Sequence, residues 1–480
     1  MKTVAFRTQD TPNVDDATES PTTAGRPRSL PLVLKPPRAH EPPRYRAFST
    51  PHLNKIPQVA ALSAEQRFEM RVVAEVLPFR VNPYVIDHLI DWSRVPDDPI
   101  YQLTFPQRGM LADEHYARMA TLLKGDPSRA EIKALAGAIR SELNPHPAGQ
   151  MQHNVPQLEG RHLQGLQHKY DETVLFFPAR GQTCHAYCTF CFRWAQFIGD
   201  QDLKFAATDV AELAAYLADH REVSDVLITG GDPMVMKAGN VSTCIDALLD
   251  PALEHVQNIR IGSKALTFWP HRFVDDPDAD DLLRVLENAV RAGKHVAFMA
   301  HFNHWRELEP EVCRRAIRRI RATGAEIRAQ APLLAHINDD PDVWARMWRT
   351  QVQLGVVPYY MFVERDTGAR CYFEVPLHRA ATIYREALRG VSGLARTARG
   401  PSMSAGPGKV EIQGTAEVAG EKVFVLRFIQ ARESHWVQRP FFAAYDEEAT
   451  WLNHLRPAFG REHFFFEDEY RQTYGAADLR

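Results

Sequence analysis

The chain has 480 residues, of which 45% are hydrophobic and 24% charged, as is ordinary for a globular protein in water. Its formal net charge of −3 gives no general attraction to nucleic acid or to an anionic membrane. No run approaches the ~20 apolar residues of a membrane span, and we expect no secretory leader. With only six cysteines, the chain is expected in the reducing cytoplasm, bound to neither nucleic acid nor membrane.

Two regions precede the part of the chain that is rich in strands. Residues 1–43 are polar and rich in proline, which predicts a disordered tail. Residues 44–165 predict an N-terminal helical region, in which Ser63 and Gln66 form a capping box before an amphipathic run. Two further helices are expected at 83–92 and 131–143.

From about residue 172, short β-rich runs alternate with amphipathic helices, one of which should begin at a capping box of Asp209 and Glu212. This alternation predicts a parallel sheet with right-handed crossovers. Six units predict an α/β fold, a partial (β/α)6 barrel of the TIM type over 166–400, with chemistry at the C-terminal strand ends. The six expected strands lie at 173–178, 225–230, 259–262, 295–301, 325–331 and 356–362.

The last part of the chain, 401–480, predicts a small mixed segment. A β-hairpin is expected over 410–428, with Ala-Gly-Glu-Lys in its turn.

Three cysteines follow the first expected strand, at Cys184, Cys188 and Cys191 in the stretch GQTCHAYCTFCFRW. Three thiolates suit a [4Fe–4S] cluster with one open iron, whereas ordinary electron-transfer clusters are closed by four cysteines. A zinc site usually needs a fourth ligand, and His185 is poorly placed because it is adjacent to Cys184. The other cysteines stand singly in apolar segments and are interpreted as small buried hydrophobes: Cys244, Cys313 and Cys371.

A glycine turn follows the second expected strand. DVLITG runs directly into Gly230, Gly231 and Asp232. Glycines after a strand let the backbone approach a ligand closely. The sequence therefore predicts a ligand-binding turn one βα unit after the cysteines.

The CxxxCxxC spacing resembles the signature of radical S-adenosylmethionine (SAM) enzymes. Over roughly 50–430 the chain also resembles the lysine 2,3-aminomutase family, in blocks that keep the family's order: LITGGDPMVM, RIGSKALTFWPHRF, AHFNHWRELEP, QAPLLAHINDD, VVPYYMF and LRGVSG. The resemblance implies that the open iron chelates SAM and that one electron cleaves it to methionine and a 5′-deoxyadenosyl radical. It also implies that the turn of Gly230, Gly231 and Asp232 binds SAM.

The resemblance extends to residues that hold the substrate. Arg193 matches an arginine that holds the substrate carboxylate, which suits a guanidinium; a surface or cluster-tuning role is the alternative. Asp339 matches an acidic residue that reads the far amino group of lysine, with a helix cap as the alternative.

Lys409 matches the lysine that carries pyridoxal phosphate (PLP), and it keeps the family's spacing from the LRGVSG block. The surroundings differ, because 405–408 reads Ala-Gly-Pro-Gly instead of four glycines, and Ser402 stands where a second substrate-reading aspartate is expected. Thr173 replaces an arginine that contacts the PLP phosphate. The resemblance therefore implies an isomerase that moves an amino group, and it disfavours lysine as the substrate.

Two alternatives remain open at this point. One is a radical SAM enzyme without PLP, such as an epimerase or a dehydrogenase. The other, more remote, is an iron–sulfur electron-transfer or redox-sensing protein. The expected partners of the enzyme are a small amino-acid-like substrate and an electron donor such as flavodoxin or ferredoxin, while the identity of both and the formation of a homo-oligomer stay open.

Overall fold

The computed structural model describes residues 44–144, 154–199 and 204–475. They belong to one compact unit that spans 43–480. The tail expected over 1–43 lies outside the described residues. No helix within the described ranges has both the length and the apolar character needed to cross a membrane.

The N-terminal region is helical, as expected, and its helices are α1 (Ala64–Val76), α2 (Pro99–Thr104), α3 (Asp113–Lys124) and α4 (Arg129–Leu143), with a short turn at Pro57–Ala60. The capping box is confirmed, because the Gln66 N–H donates to Ser63 Oγ and the Ser63 N–H donates to Gln66 Oε1, each at 3.1 Å. The helix expected at 83–92 is wrong in length, since only a π-helical turn forms there, Val85–Leu89. The chain turns extended after it because the Asp91 N–H reaches Asp98 Oδ2 at 3.1 Å.

Eleven strands form one sheet in which neighbours in space are also neighbours in sequence. They are β1 (Leu166–Tyr170), β2 (Thr173–Phe176), β3 (Asp225–Ile228), β4 (Asn258–Ser263), β5 (His295–His301), β6 (Glu326–Leu333), β7 (Val357–Val363), β8 (Arg399–Ser404), β9 (Gly408–Val418), β10 (Glu421–Ala431) and β11 (Pro440–Ala444).

Strands β2 to β8 are parallel, and β1 and β9 to β11 join them antiparallel. All six expected strands are found, as β2 to β7. The sheet stays open between β1 and β11, which fits a partial barrel of six strand–helix units. The seventh parallel strand, β8, is absent from the sequence prediction.

A helix follows each of the first six parallel strands. These helices are α5 (Val210–Asp219), α6 (Ala238–Asp246), α7 (Ala279–Arg291), α8 (Glu311–Ala322), α9 (Pro341–Gln353) and α10 (Leu377–Arg389), and the last helix is α11 (Glu467–Tyr474). The expected capping box at α5 is only half correct. Asp209 accepts from the Ala211 N–H at 2.8 Å, but Glu212 forms an ion pair with Arg161 instead, at 2.9 Å.

Strand alternation separates the core from the site. In β4, Ile259 and Ile261 are fully buried and belong to the main apolar core, which also contains residues of the covering helices. Arg260 points to the opposite face of the sheet, where it lines a cavity. The inner face of the partial barrel is therefore available for charged side chains.

The predicted hairpin is confirmed and is longer than expected. It consists of β9 and β10, in which Val418 pairs with Glu421 across a turn of Ala419 and Gly420. Lys409 is the second residue of β9, so it sits on a strand and not at the end of a loose loop.

Candidate active site

The cysteine loop, residues 184–191, follows the first parallel strand and is held by the N-terminal region. The Tyr187 N–H donates to the Arg80 carbonyl at 2.8 Å, and the Thr189 N–H donates to the Leu103 carbonyl at 3.0 Å. The N-terminal helices therefore fix the backbone on which the three thiols stand.

The three cysteines are free and half-buried. Burial is the largest cause that raises their pKa values, well above the usual range for Cys184 and to about 11 for Cys191. Thiolates in such a place need positive ions to balance them. In the described ranges, the group of three or more ligand residues with all ligand atoms within 4.8 Å is Glu433, His435 and Glu469, so the cysteines are spread wider than that.

The glycine turn packs directly on the cysteine loop. A Cβ atom on Gly231 would lie 2.5 Å from the backbone N and O atoms of Thr183, which precedes Cys184. Gly230 has a φ of +148°, and a Cβ there would lie 2.2 Å from Gln182 Nε2. The expected ligand turn and the expected metal loop are therefore brought together, and a side chain at Gly231 would collide with the backbone of the loop, whereas at Gly230 the positive φ is the main obstacle to a side chain.

Asp232 ties this turn to the next strand end. Its carboxylate accepts from the Met234 N–H at 2.9 Å, the Ser263 hydroxyl at 2.8 Å and the Lys264 N–H at 2.9 Å. Burial raises the pKa of Asp232 to about 6, although these hydrogen bonds act in the opposite direction. The carboxylate is fully engaged within the chain, so Asp232 shapes the turn.

A buried ion pair beside the cysteines was missed by the sequence analysis. Lys264 Nζ lies 2.8 Å from Glu307 Oε1 and 2.9 Å from Asn303 Oδ1. Burial raises the pKa of the Cys188 thiol, and the positive charge of Lys264 lowers it by a smaller amount. The signal was present, since Lys264 directly follows β4 and the C-terminal strand ends carry the chemistry of such barrels.

Arg193 is buried, and no carboxylate of the described residues is paired with it. It is 8% exposed, and its Nε and Nη2 atoms have no hydrogen-bond partner. Its guanidinium carbon lies 4.3 Å from the centre of the Phe177 ring, and burial lowers its pKa to about 10. Burying an unpaired charge is costly. Such a residue is therefore expected where a ligand supplies the negative charge.

Lys409 lines a cavity of about 280 Å³. Its amine donates to Gln430 Oε1 at 2.7 Å and lies 4.8 Å from the centre of the Tyr360 ring. Burial lowers the pKa of Lys409 to about 7, with further lowering by Arg260 and Arg399. A lysine whose pKa is lowered in this way is more readily neutral, and the neutral amine is the form that bonds to an aldehyde.

The rest of the cavity wall is rich in cations. Lys169, Arg260, Arg365 and Arg432 line it together with Lys409, and Asp366 is the acidic lining residue. Thr173, which stands in place of an expected arginine, lines the same cavity. The positive charge expected at that position is therefore present, but it comes from other strands and loops.

Asp339 and Ser402 stand at the two positions that the resemblance assigns to substrate-reading carboxylates. Asp339 is exposed, and Asp340, not Asp339, caps α9 by accepting from the Asp342 N–H at 2.8 Å. Ser402 is buried in β8 and its hydroxyl has no partner. Neither of them, nor Arg193, is among the described residues that line the Lys409 cavity.

The expectations for the other cysteines are met in part. Cys244 and Cys313 are buried, as expected for small hydrophobes. Cys371 is exposed, so that expectation is wrong. It lies on the outer side of the short helix Arg370–Phe373, whose buried residue is Phe373.

Comparisons with known proteins agree with the family resemblance, although no protein-family model matches the sequence. A provisionally named L-lysine 2,3-aminomutase of Aquifex aeolicus (strain VF5) is 32% identical over 75% of this chain and 83% of its own length. An L-lysine 2,3-aminomutase of Methanococcus maripaludis is 21% identical over 76% of this chain and 73% of its own length. A glutamate 2,3-aminomutase of Clostridioides difficile (strain 630) is 29% identical over 44% of this chain and 47% of its own length.

Among solved structures, Streptococcus suis SuiB bound to S-adenosylmethionine aligns with 57% of this chain and 57% of its own chain, with 12% identity and a TM-score of 0.33.

Proposed function

Because the chain belongs to the lysine 2,3-aminomutase-like family of radical SAM enzymes, we propose that Cys184, Cys188 and Cys191 hold a [4Fe–4S] cluster and that the enzyme abstracts hydrogen from an amino-acid-like substrate. The observation that carries the proposal is the close packing of Gly231 on the Thr183 backbone. It places the cysteine loop and the glycine turn at one edge of the sheet, at the C-terminal ends of β2 and β3.

The bound cluster would supply one electron that splits SAM, and the fragment formed would take a hydrogen atom from the substrate. The chain fixes the thiols and excludes water around them. Cys188 and Cys191 pack against the apolar core of the N-terminal region, and Phe190 is buried against His301 and Phe373. Such an enclosure protects a reactive radical from water and oxygen.

Arg193 is proposed to bind the substrate carboxylate. It stands two residues after the last cluster cysteine, so a carboxylate bound there holds the amino acid close to the cluster. The unpaired Nε and Nη2 atoms match the two oxygens of a carboxylate.

Lys409 is proposed to carry PLP. Its amine is buried and has a lowered pKa. Lys169, Arg365 and Arg432 line the same cavity and would offer charges for the phosphate, together with Arg260, which is ion-paired with Asp225 at 2.6 Å. When bound, PLP would hold the nitrogen that migrates. The amino group moves from one carbon of the substrate to its neighbour and a hydrogen moves the opposite way, so the product is an isomer of the substrate.

The substrate is proposed to lack a second cationic group. Asp339 is exposed and Ser402 is neutral, so these two positions do not form a buried pair of carboxylates for the far ammonium of lysine. The cations around Lys409 would repel such a group. One relative is named a glutamate 2,3-aminomutase, and a side-chain carboxylate would suit this cavity.

A second candidate is radical chemistry without PLP, such as epimerisation or dehydrogenation. It is favoured by the segment 405–408, which closes as a tight turn through a hydrogen bond of 3.0 Å from the Ala405 N–H to the Gly408 carbonyl. Its carbonyls accept from Lys169 and Arg432, so these cations are partly engaged within the chain.

One experiment tests these assignments together. The full chain is purified and reconstituted anaerobically, and its iron, sulfide and ultraviolet–visible spectrum are measured before and after addition of PLP. The reduced enzyme should form 5′-deoxyadenosine from SAM. A protein that holds about four irons but never cleaves SAM would contradict the proposal and return the chain to the electron-transfer or sensor class.

A further inference from the structure

An arginine-rich groove of about 540 Å³ lies between the N-terminal helices and the cysteine loop. We call it the arginine groove and define it by Arg67, Arg71, Arg80, Arg129 and Arg140, all of which line it. Glu75 is the one acidic residue among its described lining residues. A chain with a net charge of −3 thus concentrates positive charge at this place, which attracts acidic partners.

The inner wall of the groove is part of the cysteine loop. Tyr187 lines the groove and directly precedes Cys188, so their Cα atoms are about 3.8 Å apart. The Tyr187 ring stacks on Phe197, with 4.7 Å between the ring centres, and Phe197 also lines the groove. A molecule in the groove would therefore be separated from the cluster by little more than the loop itself.

Four of the five arginines of the groove are not ion-paired with acidic side chains of the described residues. The ion pairs of the described residues are formed by other basic residues. No such pair involves Arg67, Arg71, Arg80 or Arg129. Arg71 and Arg129 are exposed at the rim.

A second cavity reaches Cys184 but differs in charge. Its charged lining residues are Arg80, Arg180, Lys237, Arg272, Asp276 and Asp278, and Arg272 is paired with Asp278 at 2.7 Å. The arginine groove has five arginines against one acidic lining residue, whereas this second cavity has four basic residues against two acidic ones, so the excess of positive charge is larger in the arginine groove.

We propose that the arginine groove is the docking surface for a small acidic protein that carries one electron, of the flavodoxin or ferredoxin class. The inference rests on the proposed function, which requires an electron to enter the cluster from another molecule. In the transfer the carrier is oxidised by one electron and the cluster is reduced by one, and no bond is formed or broken.

The test uses the reconstituted full-length enzyme in anaerobic stopped-flow measurements of cluster reduction. Reduced flavodoxin and reduced ferredoxin are the protein probes, and photoreduced deazariboflavin is a small reductant that needs no docking surface. The groove variant is Arg71→Glu with Arg129→Glu. Arg129 is the first residue of α4, where an acidic side chain suits the helix dipole, so folding should be preserved.

The matched control is Arg385→Glu with Arg389→Glu, which makes the same change in net charge at two exposed residues of α10. We expect the groove variant to be reduced by the carrier proteins about 10- to 100-fold more slowly at low salt. The loss should shrink as ionic strength rises. The control should change by less than about twofold, and deazariboflavin should reduce all three proteins equally.

Three results would overturn the inference: an unchanged carrier rate in the groove variant, an equal loss in the control, or a wild-type enzyme that neither carrier reduces. Failure of the deazariboflavin-reduced wild type to cleave SAM would instead refute the proposed function. The two ideas can therefore fail separately.

Discussion

The amine of Lys409 offers a quantitative test of the proposed PLP site. Burial, followed by Arg260 and Arg399, lowers its pKa from 10.5 to about 7. At pH 7 about half of these amines are neutral, against about 1 in 3,000 for a lysine with the ordinary pKa. The form that attacks an aldehyde is thus enriched about 1,500-fold.

We expect added PLP to form an adduct on Lys409 that borohydride makes permanent, with a rate that rises through a midpoint near pH 7. Peptide mass mapping after reduction identifies the modified lysine. Lys409→Met should abolish this adduct, whereas Lys422→Met, on an exposed residue of the same hairpin, should leave it unchanged. A midpoint above pH 10, or an adduct on other lysines alone, would refute the reasoning.

The same shift in pKa predicts how stability depends on pH. Because the pKa of Lys409 is lower in the folded state, the unfolded chain binds more protons between about pH 7 and 10.5, and stability rises with pH in that window. The full shift corresponds to at most ~5 kcal/mol, and to less in practice because the amine borders an open cavity. Lys409→Met should therefore unfold at a higher temperature than the wild type at pH 7, with a difference that shrinks towards pH 10. A constant difference would contradict the shift.

Three further predictions concern the cluster, the turn and the substrate. Replacing the three cluster cysteines with alanine should remove iron and sulfide from the reconstituted protein, and their retention would exclude the cluster assignment. Gly231→Val should reduce both SAM cleavage and iron content, because its side chain would collide with the Thr183 backbone; full iron content in that variant would show that the turn and the loop are independent. Arg193→Lys should weaken substrate affinity about 10- to 100-fold, through loss of a charge-assisted hydrogen bond, and an unchanged affinity would assign Arg193 a structural role.

The parallel part of the fold could be predicted because each strand from β2 to β7 carries its own signal. These strands are short β-rich runs, separated by amphipathic helices of ordinary length. Strand β8 gave no such signal, since Gly400, Pro401 and Ser402 are all poor strand formers. It becomes a strand because Tyr360 and Phe362 of β7 pair with it, which is a tertiary contact that local sequence does not express.

The candidate site also has one part that the sequence predicts and another part that only the fold shows. The cysteines and the glycine turn are contiguous motifs, so their chemistry can be predicted from the sequence. The Lys264–Glu307 pair and the cations around Lys409 come from separate strands, and only the sheet brings them together. Lys169, for example, lies 236 residues before Ala405, whose carbonyl its amine reaches at 2.5 Å.

In the segment 405–408, two of the four glycines of the family are replaced by alanine and proline. The structure makes this difference weaker evidence against PLP than the sequence alone does. Within this segment, a Cβ at Gly408 would lie 2.4 Å from the Gln430 carbonyl oxygen, so this glycine is required by close packing. Positions 405 to 407 form a tight turn that alanine and proline tolerate. Arginines of other strands and loops, among them Arg260 and Arg365, line the same cavity, and Arg260 is also ion-paired with Asp225 at 2.6 Å. The segment can therefore lose glycines without removing the lysine, the cavity or the positive charge that a phosphate would need.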